Sequence, residues 1–440
     1  MGSRLNARAQ VHGETCYFGC EDVTDLGKAG PAPIEDVAHL ALQVGRLLFQ
    51  NGADTAEVQA SVVRFAAAFG CEAHLMVSYE VLLLTLVGGG QFRTKVGYRV
   101  PAMNVNMAAI GGVSCLVRKV ENGRRGLAEV RAELEEIEIR PPVYGRWVVV
   151  VALGLTAASL ARLFGGDWPT FAIAWLAGSV GMWLRQEMGR CGFNLFFIPF
   201  AAALVSGAIG GAAVLLGVSG TPALCLVAPG MIIVPGVPLV NGVQDMFKNH
   251  MTQGIARLGL GVLVTLAIAF GLFVATVLTS AKIPVVAPLK LLSVPEDALF
   301  SALAALGYLF LFNVPGRIAW ACVVCGVASH TTRTLCMHLG VDVVSGTLIG
   351  ALAAGFLAHW FARHFRAPSV AFAFPGVVAM IPGAFAFRVV IGCLQIVYAG
   401  AAATTALVTE TLALALSCLL MVAGIAVGIA APLILTRKRT

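Results

Sequence analysis

The stretch APGMIIVPGVPLVNGVQDMF (228–247) is apolar enough for a bilayer, yet it carries an acid, amides and three prolines. Asp245 follows Asn241 by one helical turn, so a helix there presents both side chains on one side. An ionisable group inside an apolar run is costly and normally faces a cavity or a partner. Asp245 would then meet an ammonium group or a proton. At the end of its run, beside Lys248, it would instead be a solvated interface residue. Arg388, closing the stretch FPGVVAMIPGAFAFR (374–388), offers a planar fork matched to a carboxylate, unless it reaches out to the membrane surface. Glu410 and His330 are further proton carriers, His330 because imidazole titrates near neutrality. Asn194 and Asn313 either line a path or bond between helices.

The same two stretches share a backbone signature. Pro229-Gly230 and Pro235-Gly236 in the first correspond to Pro375-Gly376 and Pro382-Gly383 in the second, spaced by six and seven residues. Proline removes a donor and clashes with the preceding turn, and glycine lets the chain turn sharply. Freed backbone groups are tolerable in a bilayer only where protein or a water-filled cavity satisfies them. Half-helix N-termini at such a break offer partial positive charge to a carboxylate. A single proline pair could merely kink a packed helix; two at matching positions point to a functional break.

The elements that must hold these residues are membrane helices. The 440 residues are 58% apolar and 12% charged, against about 25% charged in soluble domains, and the mean hydropathy is +0.85. Ten spans are expected, near 147–164, 168–184, 195–216, 223–246, 256–279, 297–313, 317–335, 341–361, 368–391 and 406–435. The two breaks fall in spans 4 and 9, each the fourth span of a five-span half. An odd number of spans per half gives two inverted five-helix repeats, 147–279 and 297–435. With the N-terminus inside, ten basic loop residues from Arg185 to Arg439 lie on the cytoplasmic side. Four lie outside: Arg162, Lys282, Lys290 and Arg333. Both termini are therefore expected in the cytoplasm, in agreement with the lack of an apolar leader core in the first 30 residues. His330, Arg333 and His338 crowd the outer end of span 7.

Before the spans, residues 1–32 read as a disordered tail and 33–140 as a soluble α+β domain, with boundary signals in RPPVYGRW (140–147). A helix carrying Val37, Leu40, Ala41, Val44, Leu47 and Leu48 is expected to stop at Asn51-Gly52, with further helices over about 54–68, 104–121 and 126–139, strands between and a turn at Gly88-Gly89-Gly90.

Of the eleven cysteines, Cys322 and Cys325 lie within a span and read as small hydrophobes. Cys16, Cys20 and His12 form one loose cluster. No metal or cofactor is expected, and no nucleic-acid partner, because there is no basic arm interleaved with aromatics. No phosphate loop, catalytic triad or dinucleotide fingerprint is present. An enzyme with its chemistry in 33–140 would have to work without these, so no enzymatic activity is assigned. Paired broken spans in inverted halves point instead to a secondary transporter with its site at the repeat interface. Its partners would be a small-molecule substrate, protons and lipid, with homo-oligomers left open.

RLLFQNGADTAEVQASVVRFAAAFG, RPPVYGRW, VPGVPLVNGVQDMF and FPGVVAMIPGAFAFR together resemble the threonine/serine exporter family, in the form that fuses both membrane modules. The likeness covers residues 33 to 435. AMNVNMAAIGGVSCLVRKVENG follows the family pattern only loosely, and Gln244 stands where the family commonly has a basic residue. The resemblance implies export of small amino acids driven by the proton motive force across the inner (plasma) membrane. A two-chain branch of the family is associated with succinate export, which keeps dicarboxylates as the alternative substrate class.

Overall fold

The computed structural model of the protein describes residues 33–98, 105–280 and 291–436. The expected tail with Cys16, Cys20 and His12, the loop lysines Lys282 and Lys290, and the basic residues 437–439 lie outside the described residues.

Apolar periodicity builds the N-terminal part. Helix α1 (Ile34–Gln50) buries Val37, Leu40, Val44, Leu47 and Leu48 along one stripe. Asp54 then caps α2 (Thr55–Ala68) by accepting from the Glu57 N–H at 3.1 Å. Strands β1 (Glu72–Val77), β2 (Val81–Gly88) and β3 (Gln91–Tyr98) form an antiparallel sheet in sequence order. Gly88 pairs with Gln91 across the two-residue turn Gly89-Gly90, and both turn glycines have positive φ, 57° and 73°. Alternating burial along β1 and β2 turns one sheet face onto the helices. Helices α3 (Met107–Glu121) and α4 (Leu127–Ile139) follow.

Among the described residues, twelve α-helices and two short 3-10 turns (Val378–Met380 and Gly400–Ala402) follow: α5 (Arg146–Leu163), α6 (Trp168–Arg190), α7 (Phe197–Leu215), α8 (Pro222–Met231), α9 (Gly236–Phe247), α10 (Met251–Leu278), α11 (Val294–Leu311), α12 (Gly316–His338), α13 (Val343–Phe365), α14 (Val370–Val377), α15 (Gly383–Ala399) and α16 (Thr405–Thr436). Among the described residues, seven helices are long and apolar enough to cross a membrane, or eight if the bent pair α8–α9 is one span. The chain is thus a polytopic membrane protein by length and composition. Helices α6 and α12 have the length, at 23 residues each, but fall short in apolarity because polar side chains gather near their C-terminal ends.

The N-terminal part, α1 to α4 with the sheet, marks one end of the bundle. Met107 N–H donates to the Phe312 carbonyl at 2.8 Å, and Val143 N–H to Asn313 Oδ1 at 2.7 Å, so α11 ends and α12 starts beside it. Arg146, opening α5, is ion-paired with Glu187 near the end of α6. At the opposite end, Arg162 of α5 approaches Glu296 of α11 to 3.9 Å. Helix α5 therefore runs away from the N-terminal part, and α11, packed against it, runs toward it.

Candidate functional site

The two proline-glycine stretches adopt one local geometry. Helix α8 ends at Met231, α9 starts at Gly236, and the pair is bent by 63°. At Pro235 (φ −77°, ψ 65°) the Gly236 N–H donates to the Val234 carbonyl at 2.8 Å, an inverse γ-turn. At Pro382 (φ −77°, ψ 52°) the Gly383 N–H donates to the Ile381 carbonyl at 2.7 Å in the same way. The ring fixes φ for this turn, and the following helix starts without losing a bond it could have made. The glycines do not supply the bend expected of them. Gly230, Gly236, Gly376 and Gly383 all lack a positive φ. What each one provides is close approach. A Cβ on Gly376 would lie 2.9 Å from Cys325 Cβ, and one on Gly230 would lie 3.1 Å from Leu272.

The two breaks pack on each other reciprocally. A side chain on Gly236 would collide with Ile381 of the second break, and one on Gly383 would reach Val234 of the first at 3.0 Å. Met231, Val234, Val378, Ala379 and Ile381 line one cavity with Tyr308 and Leu160. Its volume of about 10 Å³ is room for about one water molecule, so the breaks are closed on each other in this conformation. Five residues beyond each break glycine comes a polar side chain, Asn241 after Gly236 and Arg388 after Gly383. Arg388 is 7% exposed, and its Nε has no hydrogen-bond partner.

Asn241 and Asp245 face neither that cavity nor open water. Both are buried against the loop 51–55 between α1 and α2. Asn241 Nδ2 donates to the Gly52 carbonyl at 2.9 Å. Thr55 donates twice to Asp245, from its backbone N–H to Oδ1 at 3.0 Å and from its hydroxyl to Oδ2 at 2.9 Å. Arg257 of α10, fully buried, lies 3.0 Å from Asp245 Oδ2, donates to the Ala53 carbonyl at 2.8 Å and stacks on Phe49 at 4.9 Å. Lys248 pairs with Asp54 at 3.0 Å, and Gln253 Nε2 donates to the Val77 carbonyl at 2.8 Å. Asp245 sits about 14 Å along α9 from Gly236 at 1.5 Å per residue, at the soluble end. Outside the membrane helices, burial pushes the Glu57 carboxyl up, Asp54 adds to the effect, and Arg64 opposes it.

The proton-carrying candidates separate. His330 is buried in a cluster with three neighbours. Its Nδ1 lies 2.8 Å from Asp297 Oδ2, which also accepts from the Thr334 hydroxyl at 2.6 Å. Arg333 Nη2 lies 2.8 Å from His330 Nε2. Guanidinium can only donate, so Nε2 must accept; the ring proton then sits on Nδ1 and is given to Asp297. Asp297 Oδ1 and Arg333 Nε are buried without hydrogen-bond partners. Glu410 stands apart on the exposed face of α16, one residue before buried Thr411.

Of the asparagines, Asn194 Oδ1 accepts from the Phe196 N–H at 2.8 Å, a local turn contact. Asn313 serves the domain contact, with Nδ2 donating to Asn106 Oδ1 at 2.9 Å. Cys322 and Cys325 are buried, and the Cys322 thiol donates to the Ala371 carbonyl at 3.2 Å. Sequence reasoning missed Arg257, Thr55 and Asp297. Arg257 and Asp297 sit near helix starts, where charge reads as loop; Thr55 follows Asp54 in what reads as an ordinary helix cap.

Two family descriptions match the chain, "Putative threonine/serine exporter" over residues 39–279 and "Threonine/Serine exporter, ThrE" over 297–435. A protein of Escherichia coli (strain K12) described as "Probable succinate transporter subunit YjjP" is 30% identical over 54% of this chain and 93% of its own. A "Probable threonine/serine exporter" of Mycobacterium tuberculosis is 25% identical over 80% of this chain and 69% of its own. The "Threonine/serine exporter" of Corynebacterium glutamicum is 22% identical over 83% and 80%. No solved structure matches. The first description alone spans 241 of 440 residues (279 − 39 + 1), both breaks lie within matched regions, and the chain belongs to the threonine/serine exporter family.

Proposed function

We propose that the protein is a secondary-active exporter of small polar amino acids, threonine and serine first, driven by the proton motive force. It would sit in the cytoplasmic membrane with both termini inside and act without enzymatic chemistry or a cofactor. The observation that carries this reading is the reciprocal packing of the breaks, Gly236 on Ile381 and Gly383 on Val234. Two such breaks at equivalent positions belong to transporters that bind near the midplane and rock one half against the other.

Ten spans in two inverted repeats accord with the packing. Helix α5 opens the first half at the soluble end and α11 opens the second at the other. In that scheme α6 and α12 are equivalent second spans, and their polar ends carry Glu187 in one half and His330 with Arg333 in the other. The half-helix N-termini at Gly236 and Gly383, with Arg388, would hold the substrate carboxylate. Pro229, Gly230, Pro375 and Gly376 would shape the walls. Asn241 and Asp245 would meet the ammonium or hydroxyl at the soluble end of the path. The coupling proton would use His330 and its partner Asp297; Glu410, on an exposed face, has less support, and Asp245 is the remaining candidate.

A dicarboxylate substrate is the second reading, favoured by the succinate transporter name of one relative and by the unpaired donor of Arg388. Proteoliposomes loaded with labelled threonine or succinate separate the two. Saturable threonine efflux stimulated by a proton gradient is expected; efflux of succinate alone would overturn the first reading.

A further inference from the structure

We infer that Asp245 and Arg257 form a recognition site for a β-hydroxy-α-amino acid, and that Thr55 of the docked loop occupies this site as a built-in competitor. The inference rests on the exporter reading and adds the residues that select the substrate class at the soluble end of the path.

The donors of Thr55 match those of the free amino acid. Asp245 spends both carboxylate oxygens on one threonine: Oδ1 takes the backbone N–H at 3.0 Å and Oδ2 the side-chain hydroxyl at 2.9 Å. Free threonine and serine carry the same pair, an α-nitrogen donor and a β-hydroxyl donor, two carbons apart. Alanine and glycine lack the second donor, and a dicarboxylate lacks both. Arg257 lies 3.0 Å from the same carboxylate and now holds a backbone carbonyl, that of Ala53. Once freed, its guanidinium fork suits the substrate carboxylate. A carboxylate and a guanidinium side by side are complementary to a zwitterion, and a dicarboxylate would meet repulsion from Asp245.

The site also keeps hydrogen-bonding capacity that the loop does not fill. Asn241 Oδ1, Gln253 Oε1 and Arg257 Nε are buried and have no hydrogen-bond partner. Asn241 and Arg257 are 2% and 0% exposed. A site that rejects analogues lacking a hydroxyl does so because its own polar groups would be left unpaired. At the rim of the loop, partly exposed Lys248 pairs with Asp54 at 3.0 Å. A second set of contacts holds the domain at the junction of α11 and α12: Met107 N–H donates to the Phe312 carbonyl, Ala108 N–H to the Asn313 carbonyl, and Asn313 Nδ2 to Asn106 Oδ1. Withdrawal of residues 51–55 would therefore open the site without releasing the domain.

The experiment measures efflux of labelled threonine, serine and alanine from vesicles carrying the full chain, with substrate loaded on the side of the soluble domain. Absence of threonine efflux by the native chain would count against the exporter reading itself. Given that efflux, Thr55→Val is expected to lower the threonine KM by about tenfold, as loss of a hydrogen bond to a charged group implies. Thr55→Ser is expected to keep the native KM. Lys248→Ala loosens the same loop without touching Asp245, so it serves if Thr55→Val does not fold; it is expected to lower the KM as well. Asp245→Asn is expected to abolish the preference for threonine and serine over alanine. A KM unchanged or raised in both Thr55→Val and Lys248→Ala, or a preference kept by Asp245→Asn, would overturn the inference and leave a plain docking contact.

Discussion

Asp297 carries the clearest residue-scale consequence. It is buried and has one unpartnered oxygen, and its other oxygen accepts from a neutral His330 that is itself held by Arg333. A proton added at Oδ1 neutralises the carboxylate and leaves Arg333 as a net positive charge in an apolar setting, which is costly unless the cluster rearranges. Besides His330 and Arg333, the neighbouring Glu296 on the same helix is approached to 3.9 Å by Arg162 of α5. Asp297→Asn is expected to remove stimulation of threonine efflux by a proton gradient while leaving threonine–threonine exchange intact, because exchange returns the carrier without moving a proton. Retained gradient stimulation in that variant would rule out Asp297 as the coupling group. His330 was legible in the sequence because a histidine inside a span is rare. Asp297 was not, since two residues after Pro295 it reads as part of a loop.

At the scale of elements, the breaks were legible and the reason for their glycines was not. Helices α9 and α15 start directly after Pro235 and Pro382, whereas Pro229 and Pro375 lie inside α8 and α14, so the second proline of each pair marks the break and the first does not. The glycines read equally well as turn residues; only packing shows that they make room for the opposite half. Gly236→Val is expected to force the breaks apart, at an overpacking cost of about 1–3 kcal/mol, and to lower efflux strongly. Ile381→Ala in the same chain vacates the space that valine needs and is expected to restore part of the activity. A double variant no better than Gly236→Val would show that the contact is not what the glycine protects. Hairpin and helix positions in the N-terminal part were equally readable from Gly89-Gly90 and the α1 stripe. Its docking was not, because no local pattern announces that Gly52 will meet Asn241 across 189 residues.

At the scale of the whole molecule, the chain is closed twice. The paired breaks leave a cavity of about 10 Å³, and the loop 51–55 covers Asp245 and Arg257 beyond it. A carrier must open each closure in turn, and opening the inner one requires Val234 and Ile381, which line the same cavity, to move apart. Composition foretold a membrane protein, and the paired signatures foretold the two breaks. The state in which the machine rests is a property of long-range packing and had no local sequence signal. The most direct test is to place cysteines at Val234 and Ile381 in a cysteine-free background and follow threonine efflux before and after oxidation. The breaks are expected to cross-link, efflux to stop, and reductant to restore it. Full-rate efflux by the cross-linked protein would contradict the claim that the substrate passes between the two breaks.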